Sequence, residues 1–300
     1  MTQSISPETY AALGPIMASK QEKETQASSN ALATAIAKGN FIKTSQSTLE
    51  HENLKKIRQK FNLRNVPQLI DLSENAKLVV PSSLYDGARN VTTTISPLAG
   101  DSSAYDSLKT VLSQPDFTNA AQQKGGQLGG ILAALHAKTG SVSHGDFHLN
   151  NIRFDKAGTA YVIDIESLGN NFVDGHTRDA NGFRDLVDLI AKTTSHMYKS
   201  GTYGANKGWF GNYFGKSPSK TEQAFAKGVF EGYIETASKE QLLSIRSQYE
   251  AFKKDYGSNV NRFLNGGWFS TYNNSVFQKV FQGNEFENLI NVKLESIDLT

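Results

Sequence analysis

The sequence predicts an α+β protein in which short strands crowd the first third of the chain and helices dominate the rest. Three observations carry that expectation. Runs at Asn40 to Thr44, Lys77 to Val80 and Val91 to Ile95 have the β-branched, apolar composition of strands. Gln127 to Lys138 places Leu128, Ile131, Leu132 and Leu135 at helical spacing, and the chain from Lys192 onward is helix-forming with aromatic insertions. Between these, Ile152 and Phe154 on one side of Ala157-Gly158, and Tyr161, Val162, Ile163 and Ile165 on the other, read as a hairpin.

In chain order, Ser6-Pro7-Glu8-Thr9 starts a short helix with Ser6 as its cap and Pro7 at the first position. Residues 1–24 read as an N-terminal extension. Lys38-Gly39-Asn40 is a turn, and the strand after it carries Lys43 among apolar neighbours. A helix then begins at Ser47 or Thr48, with Glu50 placed as a capping-box partner for Ser47. Leu49, Leu54, Ile57 and Phe61 form its apolar stripe, and Lys55, Lys56, Arg58 and Lys60 its outer basic face; it ends before Val66-Pro67. Gly125, Gly126, Gly129 and Gly130 allow close packing of the later helix, and His136 near its end reads as a packed core or capping histidine. Another helix begins at Phe183 to Ile190.

The bulk numbers narrow the function classes. Three hundred residues at 38% hydrophobic content can bury a sizeable core, which suits one bilobal enzyme or two small domains. With 31 basic and 29 acidic residues and no long run of one sign, composition gives nucleic acid no support as the main partner. The chain has no cysteine, which excludes disulfides, thiolate metal sites and a cysteine nucleophile. No apolar run reaches the length of a membrane span, and the N-terminus lacks a basic region followed by an apolar core. A cytoplasmic protein is the expectation. The Ser-, Thr-, Gln- and Ala-rich stretch Met1 to Ser29 keeps a second location open, because export signals of bacterial injected effectors share that composition.

The chemistry concentrates between His144 and Glu166. Asp146, Asn151 and Asp164 are polar residues embedded in a segment that otherwise wants burial. One carboxylate just before the hairpin and another at the end of its second strand would converge in space. Phosphoryl transfer needs such a convergence: a carboxylate to orient the attacking hydroxyl and accept its proton, and oxygen ligands for Mg²⁺ at the phosphates.

At these residues the sequence resembles the protein-kinase-like superfamily, in its aminoglycoside phosphotransferase and choline kinase branch. The resemblance lies in His144-Gly145-Asp146, Asn151 five residues after the aspartate, and a hydrophobic strand ending in Ile163-Asp164 thirteen residues later. It implies a bilobal fold with a small β-rich N-lobe over residues 25–97 and a mostly helical C-lobe over 98–300. It further implies ATP and Mg²⁺ as cofactors, Asp146 as catalytic base, and Asn151 and Asp164 as metal ligands.

Further roles follow from the same resemblance. Lys43 would bind the nucleotide phosphates, and the family spacing favours Glu52 over Glu50 as its partner. A phosphate-covering loop falls at Thr25 to Asn30, where Ser28, Ser29 and Asn30 stand in place of the expected glycines. Ser96-Pro97-Leu98-Ala99-Gly100 resembles the hinge, so Ile95 to Leu98 would line the nucleotide pocket. Either Asp185 or Asp188 would hold the catalytic loop's amides, with His144 supporting the loop backbone. His148 would touch phosphate or substrate or brace the loop, and Glu166 reads either as the second acid of the choline kinase pattern or as a solvated strand end. Trp209, Phe210, Tyr213, Phe214, Trp268, Phe269 and Tyr272 would either shape an acceptor pocket or fill a core.

The activity implied is transfer of the γ-phosphate to a hydroxyl of a small molecule. The chain departs from ordinary protein kinases in lacking an Ala-Pro-Glu-type element after Asp164. A bacterial Ser/Thr protein kinase acting as toxin or effector is the first alternative. A catalytically silent or AMP-transferring kinase-like protein is the second.

Overall fold

The computed structural model describes residues 41–46, 48–169, 172–173, 176–177, 181–200, 220–254, 280 and 283–299. The expectations for Ser6 to Thr9, for the loop with Ser28, Ser29 and Asn30, for the turn at Lys38 to Asn40, for Ser47 and for the Trp209 and Trp268 aromatic groups lie outside these residues. The protein is α+β, β-rich towards the N-terminus and mostly helical after it. It divides into two compact units, Met1–Ile70 with Val79–Ala99, and Asp71–Leu78 with Gly100–Thr300.

In the first unit, strand β1 (Phe41–Ser45) pairs antiparallel with β5 (Val91–Ser96), which pairs antiparallel with β4 (Ser82–Asp86). Helix α1 (Thr48–Lys60) packs on this sheet through Leu54 and Ile57, both buried. Two sequence expectations for the helix change. Leu49 is 50% exposed, because five residues before Leu54 is about 140° round a helix turning ~100° per residue. Arg58, expected outward, is only 5% exposed: it is four residues after Leu54 and shares the inward face. Its guanidinium donates to the Pro81 carbonyl at 2.9 Å and to Ser83 Oγ at 2.8 Å, which gives each terminal nitrogen an acceptor in the interior.

A second sheet has the order β2 (Gln68–Ser73), β3 (Ala76–Val80), β8 (Ala160–Val162), β7 (Ile152–Phe154), β6 (Ser102–Ser103). The expected hairpin is its centre, β7 and β8 running antiparallel with Arg153 opposite Tyr161. Asp155 closes the turn by accepting from the amides of Ala157 at 3.0 Å and Thr159 at 2.9 Å. The strand at Lys77 to Val80 was expected with the other N-terminal strands. Instead it pairs parallel with β8, Lys77 opposite Tyr161 and Leu78 opposite Val162. Its run of buried Leu78, Val79 and Val80 suits an interior strand, but hydrophobicity alone does not name the neighbour.

Helices α2 (Ala104–Leu112), α3 (Phe117–Thr139), α4 (Gly182–Ser200), α5 (Lys220–Thr236), α6 (Lys239–Lys254) and α7 (Glu285–Asp298) make up most of the remaining described residues. The expected glycine packing joins α3 to α5. A Cβ on Gly125 or Gly129 would overlap the carbonyl oxygens of Phe225 and Val229, and one on Gly228 or Gly232 those of Gln122 and Gly126. Gly126 is more open, with Gly228's carbonyl 3.7 Å from its Cβ position. An aromatic cluster ties the later helices together, with Phe230 and Phe286 ring centres 4.2 Å apart and Tyr249 edge-on to Phe286. Among the described residues no helix is long and apolar enough to cross a membrane.

Candidate active site

The segment with the chemistry is braced from below by one buried carboxylate. Helix α3 ends in Gly140 at φ 69°, the left-handed cap that glycine adopts without strain, and the chain turns into Ser143–Asn151. Asp185, in the first turn of α4, accepts from Ser143 Oγ at 2.8 Å, the His144 amide at 2.6 Å and the Gly145 amide at 3.1 Å. Its other partner is His136 Nε2 at 3.0 Å, while Tyr233 Oη sits 2.9 Å from His136 Nδ1. Burial alone would push the Asp185 pKa up; the His136 hydrogen bond, with the loop amides, outweighs it and holds the group below the ordinary carboxylate range. Of the two aspartates offered by the sequence, Asp185 therefore holds the loop amides. Asp188 instead faces Arg184 at 3.5 Å, and Arg184 donates to the Gly145 carbonyl at 2.9 Å.

His144 ties the loop to the end of β8. Its ring is buried, and burial lowers its pKa, so the imidazole is neutral. Nδ1 accepts from the Asp146 amide at 3.4 Å, which leaves the proton on Nε2 to meet the Ile163 carbonyl at 3.1 Å. A second rung, Ile163 N–H to the Asn151 carbonyl at 3.0 Å, fixes the same junction. Gly145, at φ 87°, passes so close to Ser167 that a Cβ would lie 2.7 Å from its carbonyl oxygen.

These supports present Asp146 half-exposed with both carboxylate oxygens engaged. Oδ1 is 2.5 Å from Lys192 Nζ on α4. Oδ2 is 3.2 Å from His148 Nε2 and 3.4 Å from Asn151 Nδ2, which also donates to the Asp146 carbonyl at 3.0 Å. His148 Nδ1 accepts from the Asn150 amide at 3.2 Å, so its Nε2 carries the proton that meets Asp146. Burial raises the Asp146 pKa, but the His148 hydrogen bond and the Lys192 charge together hold it well below the usual carboxylate range.

Asp164 stands one residue beyond the Ile163 rung, exposed, in the left-handed region at φ 61° and ψ 50°. For a non-glycine residue that conformation is costly and persists where the surroundings impose it. Glu166 lies half-buried in the 3-10 turn Ile165–Ser167 that follows. Asn151 and Asp164 together offer an amide carbonyl and a carboxylate. Because Asn151 Nδ2 faces Asp146, its Oδ1 is the atom left for a cation. Among the described residues no group of three or more His, Cys, Asp or Glu side chains forms a ready-made metal cage. Mg²⁺ bound with nucleotide does not need one, since it takes one or two protein oxygens and fills the remaining positions with phosphate and water. The donor set fits that mode.

In the first unit, Lys43 on β1 is 3.6 Å from Glu50, which also accepts from Ser45 Oγ at 2.7 Å. Glu52, favoured by the family spacing, is exposed. Two residues on is about 200° round the helix, so only one of the two glutamates can face β1. Ile95 is buried between Ile42 and Ser82 of the flanking strands, whereas Leu98 is 67% exposed.

Lys192 is the residue of this site that sequence reasoning missed. The signal was present: Lys192 follows Asp185 by seven residues, two helical turns, so a helix that aims Asp185 at the loop aims Lys192 along the same side. No protein-family model matches the chain, and comparison with curated proteins finds no match either.

Proposed function

We propose that the chain is an ATP- and Mg²⁺-dependent phosphotransferase with a two-lobed, protein-kinase-like fold, moving the γ-phosphate to a hydroxyl of a small molecule. The observation that carries this reading is Asp146: a half-exposed carboxylate on a backbone-braced loop, hydrogen-bonded by Asn151, whose carbonyl accepts from the amide of Ile163, the residue before Asp164. The acceptor hydroxyl would donate to Asp146, and its oxygen would attack the γ-phosphorus as the bond to the β-phosphate oxygen breaks and ADP leaves. The proton ends on Asp146. Because that carboxylate is a weak base, its chief duty is orientation, with proton transfer late in the step. Mg²⁺, held by Asn151 Oδ1 and the Asp164 carboxylate, would supply positive charge at the phosphate oxygens. Lys43, oriented by Glu50, is the side chain assigned to the nucleotide phosphates.

Incubation with γ-labelled ATP and Mg²⁺, with and without a cell lysate, tests the reading. Label in small molecules, lost in Asp146→Asn, is the expected result. Label in protein bands would instead identify a protein kinase. Label from α-labelled ATP alone would identify AMP transfer, and no label with ATP bound would identify a silent binding module.

A further inference from the structure

The resemblance to aminoglycoside and choline kinase-like enzymes implies a small hydroxylated acceptor without naming its charge. The arrangement around Lys192 narrows it. Its ammonium is 2.5 Å from Asp146 Oδ1 and 3.9 Å from Asp188 Oδ2. Asp188 is already faced by Arg184 at 3.5 Å, and Asp146 Oδ2 by His148 and Asn151. Neither carboxylate therefore depends on Lys192 alone for a partner. A hydroxyl donating to Oδ1 at ~2.7 Å stands within about 5 Å of the ammonium, the sum of the two contacts. Any charged group a few bonds from that hydroxyl falls in the field of Lys192.

A polycationic acceptor would need a carboxylate-lined surface instead. On α5 the acidic side chains are buried or already face partners within the chain. Glu222 is buried, Glu231 is held by Gln122 at 2.8 Å and Lys227 at 3.7 Å, and Glu235 pairs with Lys293 at 3.3 Å.

We propose that the acceptor is a small anionic alcohol, with a carboxylate or phosphate a few bonds from the reacting hydroxyl, and that Lys192 selects it. The inference rests on the phosphotransferase reading of the same site. On acceptor binding, the ammonium turns part of its hydrogen bonding from Asp146 to the acceptor's anion, which frees Oδ1 to receive the hydroxyl. The reaction is then ATP plus anionic alcohol to ADP plus its phosphate ester, the hydroxyl proton going to Asp146.

The test uses one scaffold in three charge states: glycerol, glycerol 3-phosphate and (2,3-dihydroxypropyl)trimethylammonium. Reductive methylation of Lys192 in the full chain is followed by mass spectrometry, with Lys156, exposed in the turn after β7, as internal reference. Glycerol 3-phosphate is expected to slow methylation of Lys192 several-fold without affecting Lys156, while the cationic probe leaves both unchanged. In parallel, ATP turnover is read in wild type, Asp146→Asn, Lys192→Met and Lys192→Glu. The anionic probe should be preferred over the cationic one by about tenfold to a hundredfold, a preference lost in Lys192→Met and inverted in Lys192→Glu. Asp146-dependent turnover with no protection of Lys192, or with equal use of all three probes, overturns the assignment to Lys192 and leaves the phosphotransferase standing. Protection of Lys192 without any Asp146-dependent turnover overturns the phosphotransferase reading, and with it the anion's role as acceptor.

Discussion

Lys124 on α3 offers a sharp test of the packing described here. It is only 8% exposed, with its ammonium 3.8 Å from the Phe154 ring centre and 2.8 Å from Gln127 Oε1. Neither partner is an anion, and burial pushes the pKa down to about 8 from 10.5. The sign follows from proton counting. Below pH 8 both folded and unfolded chains hold the proton, and the folded state bears the full cost of the buried charge. Between pH 8 and 10.5 only the unfolded chain holds it, so stability rises with pH. The shift of about 2.5 pH units corresponds to a penalty of about 3 kcal/mol at neutral pH, of which about 2 kcal/mol is relieved by pH 9.5. Lys124→Met removes the charge but also the hydrogen bond to Gln127, a loss of about 1 kcal/mol. The variant should therefore be more stable than wild type by about 2 kcal/mol at pH 7, with the advantage nearly gone at pH 9.5. Urea midpoints of both proteins at the two pH values measure this directly, since titrations elsewhere cancel in the difference. A variant less stable at pH 7, or an unchanged difference between the two pH values, would refute the reasoning.

Other perturbations read other parts of the structure. Asp185→Asn puts an amide where four donors converge and should lower stability by about 3–5 kcal/mol, with faster hydrogen exchange at the His144 and Gly145 amides. In the wild type the stabilisation from Asp185 is present above the unfolded carboxylate pKa and is lost as pH falls through the depressed folded value; acid unfolding of wild type beside Asp185→Asn checks this. Gly129→Ala drives a methyl into the Val229 backbone and should cost about 3 kcal/mol in thermal unfolding, whereas Gly126→Ala, three residues away, puts its methyl at ordinary contact distance from the Gly228 carbonyl and should be neutral or stabilising. Glu50→Gln should raise the apparent KM for ATP about fivefold and Glu52→Gln should leave it unchanged, because Glu50 is the glutamate beside Lys43.

The parts of the fold legible in the sequence were those written in short-range spacing. Strand, turn and strand from Ile152 to Val162 follow one another within eleven residues, and Asp155 and Gly158 supply the turn chemistry locally. The glycines of α3 signalled a close approach, but not that α5 would answer with Gly228 and Gly232. What failed depended on partners far along the chain. The run at Lys77 had strand composition, yet its pairing with β8 joins residues more than eighty positions apart. Arg58 looked like a surface residue because its acceptors, Pro81 and Ser83, lie beyond an intervening hairpin. Lys192 follows Asp188 by four residues and Asp185 by seven, so it shares their side of α4, but that this side meets Asp146 depends on a loop some forty residues earlier in the chain.

The central claim is that Asp146 serves phosphoryl transfer from ATP. The most direct measurement is ADP formation from ATP and Mg²⁺ in wild type and Asp146→Asn, with the protein-free fraction of a cell lysate as the source of acceptor and nucleotide binding measured on both proteins by calorimetry. The account predicts turnover in the wild type, a fall of at least a hundredfold in the variant, and nucleotide affinity within a few-fold of wild type. Equal turnover in the two proteins, with binding intact, would contradict it.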